Sequence, residues 1–456
     1  MTKFPILAAA LTLGFLLPAH AQTYTVIHTF KYADFPNWSQ TMSQSPGGYL
    51  LFTSYTVPGY AYELGTGGWF HNLYTFSGTD GSSPASGLVL GTDQRFHGTT
   101  SYGGKNNHGT VFRLSPDGKL VVEHNFADGK DGASPVSAPI QSVTGDWYGV
   151  TVQIATGTAY EGSVYRIAPG GNYTLLHSFT GPDGARPWGP LVEGSNGLLY
   201  GTTTGGGTND AGTIFSISPN GAFKVLHNFD GTHGKFAFGP LMQASDGNLY
   251  GMAEQGGTAN AGLIYRVTPG GTFTVVHNFD GGEGGVQPIG GLLEATDGSL
   301  YGTTCLGGPG GGSGEGILFR FTLAGQFTKL RDFDRTGYCP VGSLHQHTDG
   351  KLYGYTFFGG AHQSGVIYKY DLGLSPFVSY LPIYGQAGVK VTILGQNFQN
   401  NSIVRFNGTQ AQQVEIHPTY IKAVVPDGAT TGPITVQTSK NGQTLTLKSN
   451  KTFVIH

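Results

Sequence analysis

The chain repeats one six-residue stretch, Asp246-Gly247-Asn248-Leu249-Tyr250-Gly251, which returns as Asp297-Gly298-Ser299-Leu300-Tyr301-Gly302 and as Asp349-Gly350-Lys351-Leu352-Tyr353-Gly354. Weaker copies keep the same spacing, so that the slot of Tyr250 recurs at positions 50, 97, 148, 200, 250, 301 and 353. A second marker, a phenylalanine that closes each unit, also occurs seven times. Two independent markers therefore predict seven repeats of about 50 residues each.

Within one unit, short alternating runs are separated by turn residues, which is the pattern of half-buried strands. In the unit around residue 200 these runs cover 188–193, 198–204, 213–218 and 223–229. The Asn-Gly pairs that join them predict tight hairpins in which two residues take positive φ. Four antiparallel strands per unit are typical of a β-propeller blade, because radial repetition hides strand edges. We therefore predict an all-β protein containing a seven-bladed β-propeller.

The two ends of the repeat region complement each other. Residues 24–28 supply only an outer strand, whereas the last unit stops after its third strand at Tyr370. We expect the N-terminal strand to pair with the last unit and close the ring. In the first unit we expect a short, degenerate third strand near 68–70. These boundaries predict a propeller over 22–373, and the alternating strands in 374–456 predict an immunoglobulin-like β-sandwich.

Composition excludes several classes of protein. Of 456 residues, 76 are glycine, 12% are aromatic and only 11% are charged. Disordered chains are rich in charge and poor in aromatic residues, so disorder is disfavoured. The net charge of -3 provides no basic surface for nucleic acid, and we predict no nucleic-acid partner.

The first 21 residues have the pattern of a signal peptide. Lys3 precedes an almost wholly apolar run over 4–17, and Ala19-His20-Ala21 offers a cleavage site of small residues. No later stretch approaches the roughly 20 apolar residues of a membrane span. We therefore predict a secreted protein, extracellular or on the cell surface, with the periplasm as a further compartment and no span in the mature chain. A retained membrane anchor is the alternative.

Two regions resemble known families. The Gly395-x-Asn397-Phe398 motif and the segment 425–432 closely resemble the IPT/TIG family of immunoglobulin-like domains, a match that covers most of 376–456. The Tyr-Gly-Thr-Thr motif, the Gly-Gly loop and the His-Asn-Phe-Asp-Gly ending resemble the bacterial GloVer tandem repeat of "choice-of-anchor" secreted proteins over nearly all of 24–373. The second resemblance implies bacterial origin and surface association, and it implies no catalytic residue.

The cysteines and one histidine pair are candidates for special chemistry. Cys305 follows the second strand of the sixth unit and Cys339 precedes the first strand of the seventh, so we predict a structural disulfide between them. His345 and His347 have the His-x-His spacing of metal ligands, but no third ligand accompanies them. We predict no metal and no cofactor. Five further histidines share one repeat slot, which favours a structural hydrogen-bonding role: His28, His124, His177, His227 and His277.

Carboxylates give no catalytic pair. Glu193 and Glu294 share a repeat slot with Gln141, Gln243 and Gln346. A catalytic acid does not tolerate replacement by glutamine, so this slot is interpreted as a structural polar position.

The repeat varies most at the entry to each innermost strand, beside a recurrent proline. We expect this position to rim the mouth of the central channel. The candidate ligand-binding residues there are Phe35, Trp38, Arg186, Trp188, Phe236 and Phe238. Aromatic rings with a few polar groups suit a sugar or a peptide, whereas the alternative is that the rings simply fill the channel.

These observations favour an exported, non-catalytic binding or surface-interaction protein whose partner is a glycan or an extracellular protein or peptide. A polysaccharide-degrading lyase or glycoside hydrolase on the same scaffold is the alternative, because a fold does not determine an activity. A structural cell-surface protein without a ligand is the third hypothesis.

Overall fold

The computed structural model describes residues 22–31, 41–127, 131–153 and 161–455. These residues form strands and turns almost throughout, as the alternating pattern predicts. The one helical segment among them is a 3-10 turn at Gly311–Ser313. The predicted signal peptide, Phe35 and Trp38 lie outside the described residues.

Between residues 23 and 371 the described strands form seven antiparallel sheets, numbered in chain order. Strand β1 is Thr23–Thr29. Sheet 1 contains β2 (Ser43–Gln44), β3 (Leu50–Ser54), β4 (Tyr60–Leu64) and β5 (Phe70–Thr75). Sheet 2 contains β6 (Ser82–Pro84), β7 (Val89–Leu90), β8 (Phe96–Tyr102), β9 (Thr110–Leu114) and β10 (Leu120–Asn125). Sheet 3 contains β11 (Ile140–Gln141), β12 (Trp147–Thr151), β13 (Ser163–Ile167) and β14 (Tyr173–Ser178).

The remaining four sheets follow the same plan. Sheet 4 contains β15 (Val192–Glu193), β16 (Leu199–Thr202), β17 (Thr213–Ile217) and β18 (Phe223–Asn228). Sheet 5 contains β19 (Met242–Gln243), β20 (Leu249–Ala253), β21 (Leu263–Val267) and β22 (Phe273–Asn278). Sheet 6 contains β23 (Leu293–Glu294), β24 (Ser299–Thr304), β25 (Ile317–Thr322) and β26 (Phe327–Asp332). Sheet 7 contains β27 (Tyr338–Gln346), β28 (Leu352–Phe358), β29 (Val366–Asp371) and, from the other end of the chain, β1.

The pairing predicted for the N-terminal strand is confirmed. β1 pairs antiparallel with β29, and a bulge interrupts the pairing between Val26 and His28. The outermost strands of sheet 4 carry the same irregularity between Ile214 and Phe215. β1 therefore takes the place of a fourth strand in sheet 7.

Each sheet packs on its neighbour through repeated aromatic residues. The His177 ring of sheet 3 stacks on the Phe223 ring of sheet 4, with centroids 3.8 Å apart. The His28 ring of β1 stacks in the same way on Phe70 of sheet 1, at 4.1 Å, so the last sheet meets the first. The repeated histidines thus have the structural role predicted for them, although the recurring contact is a ring stack. The phenylalanines that close the units are buried in the core: Phe30, Phe76, Phe126, Phe179, Phe229, Phe279 and Phe333.

The innermost strand of sheet 4 is shorter than predicted. It covers only Val192–Glu193, whereas the run over 188–193 predicted a strand of six residues. The reason is close packing of backbones at the centre of the molecule. A Cβ on Gly189 would lie 3.0 Å from the carbonyl oxygen of Gly239, and the proline two residues after Trp188 has no N–H for strand pairing.

The hairpin turns also differ from the prediction. In sheet 4 the Gly197 N–H donates to the Gly194 carbonyl at 2.9 Å, and Gly197 has a φ of 74°. Asn196 is not among the residues with positive φ, so one residue of the turn is left-handed and not two. This is a three-residue loop with a left-handed last residue, the next most common hairpin connection after the two-residue turn.

The third strand of sheet 1 was also wrongly predicted. That strand is Tyr60–Leu64 and has full length, whereas Gly68 and Trp69 belong to the turn before β5 and Phe70 is the first residue of β5.

The C-terminal segment forms two packed sheets around a separate core that includes Val391, Ile421 and Val436. Its strands are β30 (Ser379–Leu381), β31 (Tyr384–Gly385), β32 (Lys390–Leu394), β33 (Ile403–Phe406), β34 (Thr409–Gln410), β35 (Gln412–Ile416), β36 (Tyr420–Val424), β37 (Gly432–Lys440) and β38 (Gln443–Ile455). This C-terminal sandwich contacts sheets 1 and 7: Thr419 Oγ1 donates to the Pro46 carbonyl at 2.7 Å, and Gln396 Nε2 donates to Thr348 Oγ1 at 3.0 Å.

Candidate functional site

The strands of each of the seven sheets end at two opposite faces. The hairpin face carries the turns between first and second strands, such as 194–198 in sheet 4. The mouth face carries the loops between second and third strands, such as 203–213, and the entry to the innermost strand, 185–188. A backbone bridge between Ala185 and Gly205 holds these two segments together.

The entry residue of the innermost strand has an unusual backbone. Arg186 has a φ of 56°, its N–H donates to the Glu161 carbonyl of sheet 3 at 2.8 Å, and its carbonyl accepts from the Thr204 N–H at 3.1 Å. Six residues share this slot with φ between 51° and 58°, and we call them the rim residues: Ser83, Ser134, Arg186, Phe236, Gln287 and Cys339. Non-glycine residues rarely adopt this region, and here backbone hydrogen bonds to neighbouring segments hold them in it.

A rim residue meets the residue that follows the second strand of the preceding sheet. Cys339 Sγ is bonded to Cys305 Sγ in this way. At the interface before it, Gln287 Nε2 donates to Glu254 Oε1 at 3.2 Å. The disulfide and the Gln287–Glu254 pair therefore occupy equivalent positions at adjacent interfaces.

A cavity of about 490 Å³ is lined by residues of sheets 4 to 7, among them both members of each pair. Its walls include Trp188, Phe238, Ile289 and Phe358, together with glycines and prolines of the innermost segments.

Two of the predicted site residues line this cavity. Trp188 and Phe238 meet edge to face, with ring centroids 5.9 Å apart and an interplanar angle of 88°. Both rings are partly exposed.

The other two described residues lie beside the cavity. Arg186 is exposed, and its guanidinium lies against Gly205, where a Cβ would displace it. The Phe236 ring packs 5.9 Å from Phe238 and carries Lys235 Nζ 4.6 Å from its centroid. Neither residue is part of the cavity wall. The structure thus brings Trp188 and Phe238 together and leaves Arg186 and Phe236 on the surrounding surface.

The sequence prediction missed the polar residues of the cavity, Glu254 and Gln287. Burial raises the pKa of the Glu254 carboxyl. A signal for it does exist in the repeat: the slot of Glu254 is filled by Ser101, Val152, Thr204 and Cys305 in other units. A single ionisable residue in an otherwise neutral slot is the kind of irregularity that marks a site.

The Glu/Gln slot of Glu193 lies on the hairpin face and is structural, as predicted. Glu193 Oε2 accepts from the Val143 N–H of sheet 3 at 3.0 Å, and Gln44 Oε1 accepts from the Thr348 N–H of sheet 7, also at 3.0 Å. We call these inter-sheet hydrogen bonds latches. Within the described residues six interfaces have one, made by Gln44, Gln141, Glu193, Gln243, Glu294 and Gln346.

The two histidines with metal-ligand spacing have other environments. His347 Nε2 lies 3.1 Å from the Gly48 carbonyl, and its Nδ1 accepts from the Asp349 N–H at 3.2 Å. Burial, with the nearby His347, lowers the pKa of His345 to about 3. Among the residues that the structure describes, no group of three or more His, Cys, Asp or Glu side chains is placed to hold a metal.

Comparison with family models identifies both modules. A model described as Gloeobacter/Verrucomicrobia repeat matches residues 39–244 and 220–388, and an IPT/TIG domain model matches 376–455. The two resemblances drawn from the sequence are confirmed, and both modules are typical of extracellular proteins. A comparison with curated proteins found no match. In the described part of the chain, no helix has the length and apolar character needed to cross a membrane.

Solved structures share the fold at low identity. A fungal alcohol oxidase of the AA5 family in complex with copper is 12% identical, with 93% of this chain and 99% of that chain covered and a TM-score of 0.52. A candidate 6-phosphogluconolactonase from Bacteroides uniformis is 17% identical over 66% and 86% of the two chains, with a TM-score of 0.45. The WD40 β-propeller domain of Doa1 is 12% identical over 76% and 96%, with a TM-score of 0.46. At such identities the likeness concerns the fold alone.

Proposed function

We propose that this chain, which belongs to the Gloeobacter/Verrucomicrobia repeat family, is an exported binding protein that holds a glycan or peptide ligand in the cavity of its mouth face. The proposed organisation is a signal peptide at 1–21, a propeller at 22–373 and an IPT/TIG domain at 374–456. The typical extracellular setting of both modules and the apolar leader support export.

The proposed propeller is a closed ring of seven blades. Two observations support closure: the pairing of β1 with β29, and the stack of His28 on Phe70 between sheets 7 and 1. A closed ring gives a rigid rim, and a rigid rim holds a binding cavity in one shape without ordering costs at each binding event.

The cavity lined by the Cys305–Cys339 disulfide and the Gln287–Glu254 pair carries the binding proposal. Aromatic walls with a small number of polar groups are the usual composition of a pocket for a small ligand or for one end of a larger one. Trp188 offers a ring face, and Gln287 and Glu254 offer a carboxamide and a carboxylate. Such a set can stack on a sugar or peptide group and orient it by hydrogen bonds.

A polysaccharide-degrading enzyme is the competing proposal. Glycoside hydrolysis generally requires two carboxyl groups on either side of the bond that is cleaved. Glu254 is the one carboxyl group among the described residues that line the cavity. This observation favours binding over hydrolysis, and a ligand-free structural role is a third outcome.

The test is a glycan and peptide array probed with the mature protein, together with an assay for new reducing ends. We expect specific binding that falls at least about tenfold in Trp188→Ala, because the variant removes an aromatic wall. Trp69→Ala is the matched control: it is the same substitution at an exposed ring in the turn before β5, outside the cavity lining, and it leaves binding unchanged. Release of reducing ends supports the enzyme, and no binding on any array supports the structural role.

A further inference from the structure

The cavity contains a carboxylate that lacks a positive partner. Glu254 is half-buried, and its hydrogen-bond partner is the neutral amide of Gln287. Within the described part of the chain, no basic side chain forms an ion pair with Glu254, and burial is the cause of its raised pKa. A half-buried carboxylate of this kind is stabilised in its charged form by any cation that enters the cavity.

The cavity walls also favour a cation. Trp188 and Phe238 meet at 88°, so their ring planes form a corner. The face of an aromatic ring carries partial negative charge and attracts an ammonium group within about 6 Å of its centroid. The neighbouring Phe236 already has such a partner, since Lys235 Nζ lies 4.6 Å from its centroid.

The polar groups match one ammonium better than a set of sugar hydroxyls. An ammonium has three N–H donors and no acceptor. Two side chains of the lining can accept them, Glu254 and Gln287. Ser343 also lines the cavity, but its Oγ is buried and therefore closed to a ligand. The rest of the wall is mainly apolar and includes the Cys305–Cys339 disulfide, which suits an alkyl chain.

We propose that the cavity binds the side-chain ammonium group of a lysine in a peptide or protein ligand. The alkyl stem of the lysine lies along the aromatic wall, and its ammonium group is held by the Glu254 carboxylate and the Gln287 carboxamide oxygen. This inference rests on the proposed function, because it names the ligand chemistry of the same cavity.

The test is isothermal titration of the mature protein with acetyl-Gly-Lys-Gly-amide and with its norleucine counterpart, which has the same stem without the charge. We expect the lysine peptide to bind at least about tenfold tighter than the norleucine peptide. In Glu254→Gln this ratio falls to about twofold or less, because the amide has no charge to offer. Glu193→Gln is the matched control: it is the same substitution, at a half-buried glutamate on the hairpin face, and it keeps the ratio of wild type.

The outcomes separate this inference from the proposed function. Equal affinity for the two peptides, or a ratio unchanged by Glu254→Gln, overturns the inference. Binding of a neutral glycan without binding of the lysine peptide overturns it as well and leaves the proposed function intact. Tighter binding of a glucosamine trimer than of the lysine peptide also overturns it, because the cation then comes from an amino sugar. If nothing binds in either experiment, the proposed function fails too. The thermal midpoint of each variant checks its folding.

Discussion

The hairpin face and the mouth face lie at opposite ends of the same strands. The repeated residues are kept on the hairpin face and vary on the mouth face. On the hairpin face the sheets are joined by a side chain that reaches a backbone N–H, as Glu193 reaches Val143. On the mouth face the contact is between backbones, as when the Arg186 N–H donates to the Glu161 carbonyl. A side chain that makes the contact must keep its chemistry, whereas a side chain beside a backbone contact can change. The mouth face is therefore where the repeat can acquire a site without losing its scaffold.

The exception on the hairpin face supports this reasoning. In sheet 2 the latch slot is filled by Leu90, and the backbone position that would donate to it in sheet 1 is Pro46, which has no N–H. Leu90 instead joins an apolar cluster with Leu51, Leu88 and Leu394 of the C-terminal sandwich. The sandwich also contacts the Pro46 carbonyl through Thr419. The C-terminal sandwich thus packs against the interface without a latch, and through Gln396 and Thr348 it also contacts the latched interface between sheets 7 and 1.

The largest effect on stability is expected at the latch of Gln44, which joins sheets 1 and 7. Gln44 and Thr348 are both buried, so Gln44→Leu leaves the Thr348 N–H without a partner. We expect the free energy of unfolding to fall by about 2–3 kcal/mol, measured by urea denaturation. Affinity for the lysine peptide should not change, since the latch is on the opposite face.

The control for this prediction is Gln287→Ala on the mouth face. Gln287 is held by its backbone N–H, which donates to the Ala261 carbonyl at 2.9 Å. Loss of its side chain should therefore lower the free energy of unfolding by less than about 1 kcal/mol. If Gln287→Ala costs as much as Gln44→Leu, side chains hold both faces equally and the contrast between them is wrong.

The second effect is expected where the latch is missing. Leu90→Gln places a carboxamide in an apolar cluster, opposite Pro46, which has no N–H to donate. We expect the free energy of unfolding to fall by about 2 kcal/mol. Adding Pro46→Thr restores the donor. A double-mutant cycle by urea denaturation should then show a favourable coupling of about 1 kcal/mol between the two substitutions. Zero coupling would mean that Pro46 is not the reason for Leu90.

Much of this organisation could be predicted from the sequence, because it follows from local patterns. Alternation and turn residues predicted the strands, and the incomplete first and last units predicted the pairing of β1 with β29. Trp188 and Phe238 were found because they interrupt a repeat. The Gln287–Glu254 pair was missed because it joins a rim residue to the end of a strand in the preceding sheet. That register between sheets depends on the left-handed rim backbone, which the side chains at this slot do not predict, because residues such as arginine, phenylalanine and glutamine rarely adopt positive φ.

The smallest effect is expected for Glu193→Gln, which tests whether a latch needs charge. Burial raises the pKa of Glu193 in the folded protein above its unfolded value of about 4.3. The carboxyl therefore contributes most to stability below the unfolded pKa, and this contribution is lost as pH rises through the folded pKa. Glutamine does not titrate and keeps an oxygen for the Val143 N–H. Between pH 4 and pH 7 we expect the free energy of unfolding of the variant to rise relative to that of wild type by about a few tenths of a kcal/mol. The difference is small because solvent screens this half-exposed group. Urea denaturation at both pH values measures the difference.

A wild-type advantage that grows with pH would show that the latch requires the carboxylate. The hairpin face would then share the need for charge that we assign to Glu254 on the mouth face.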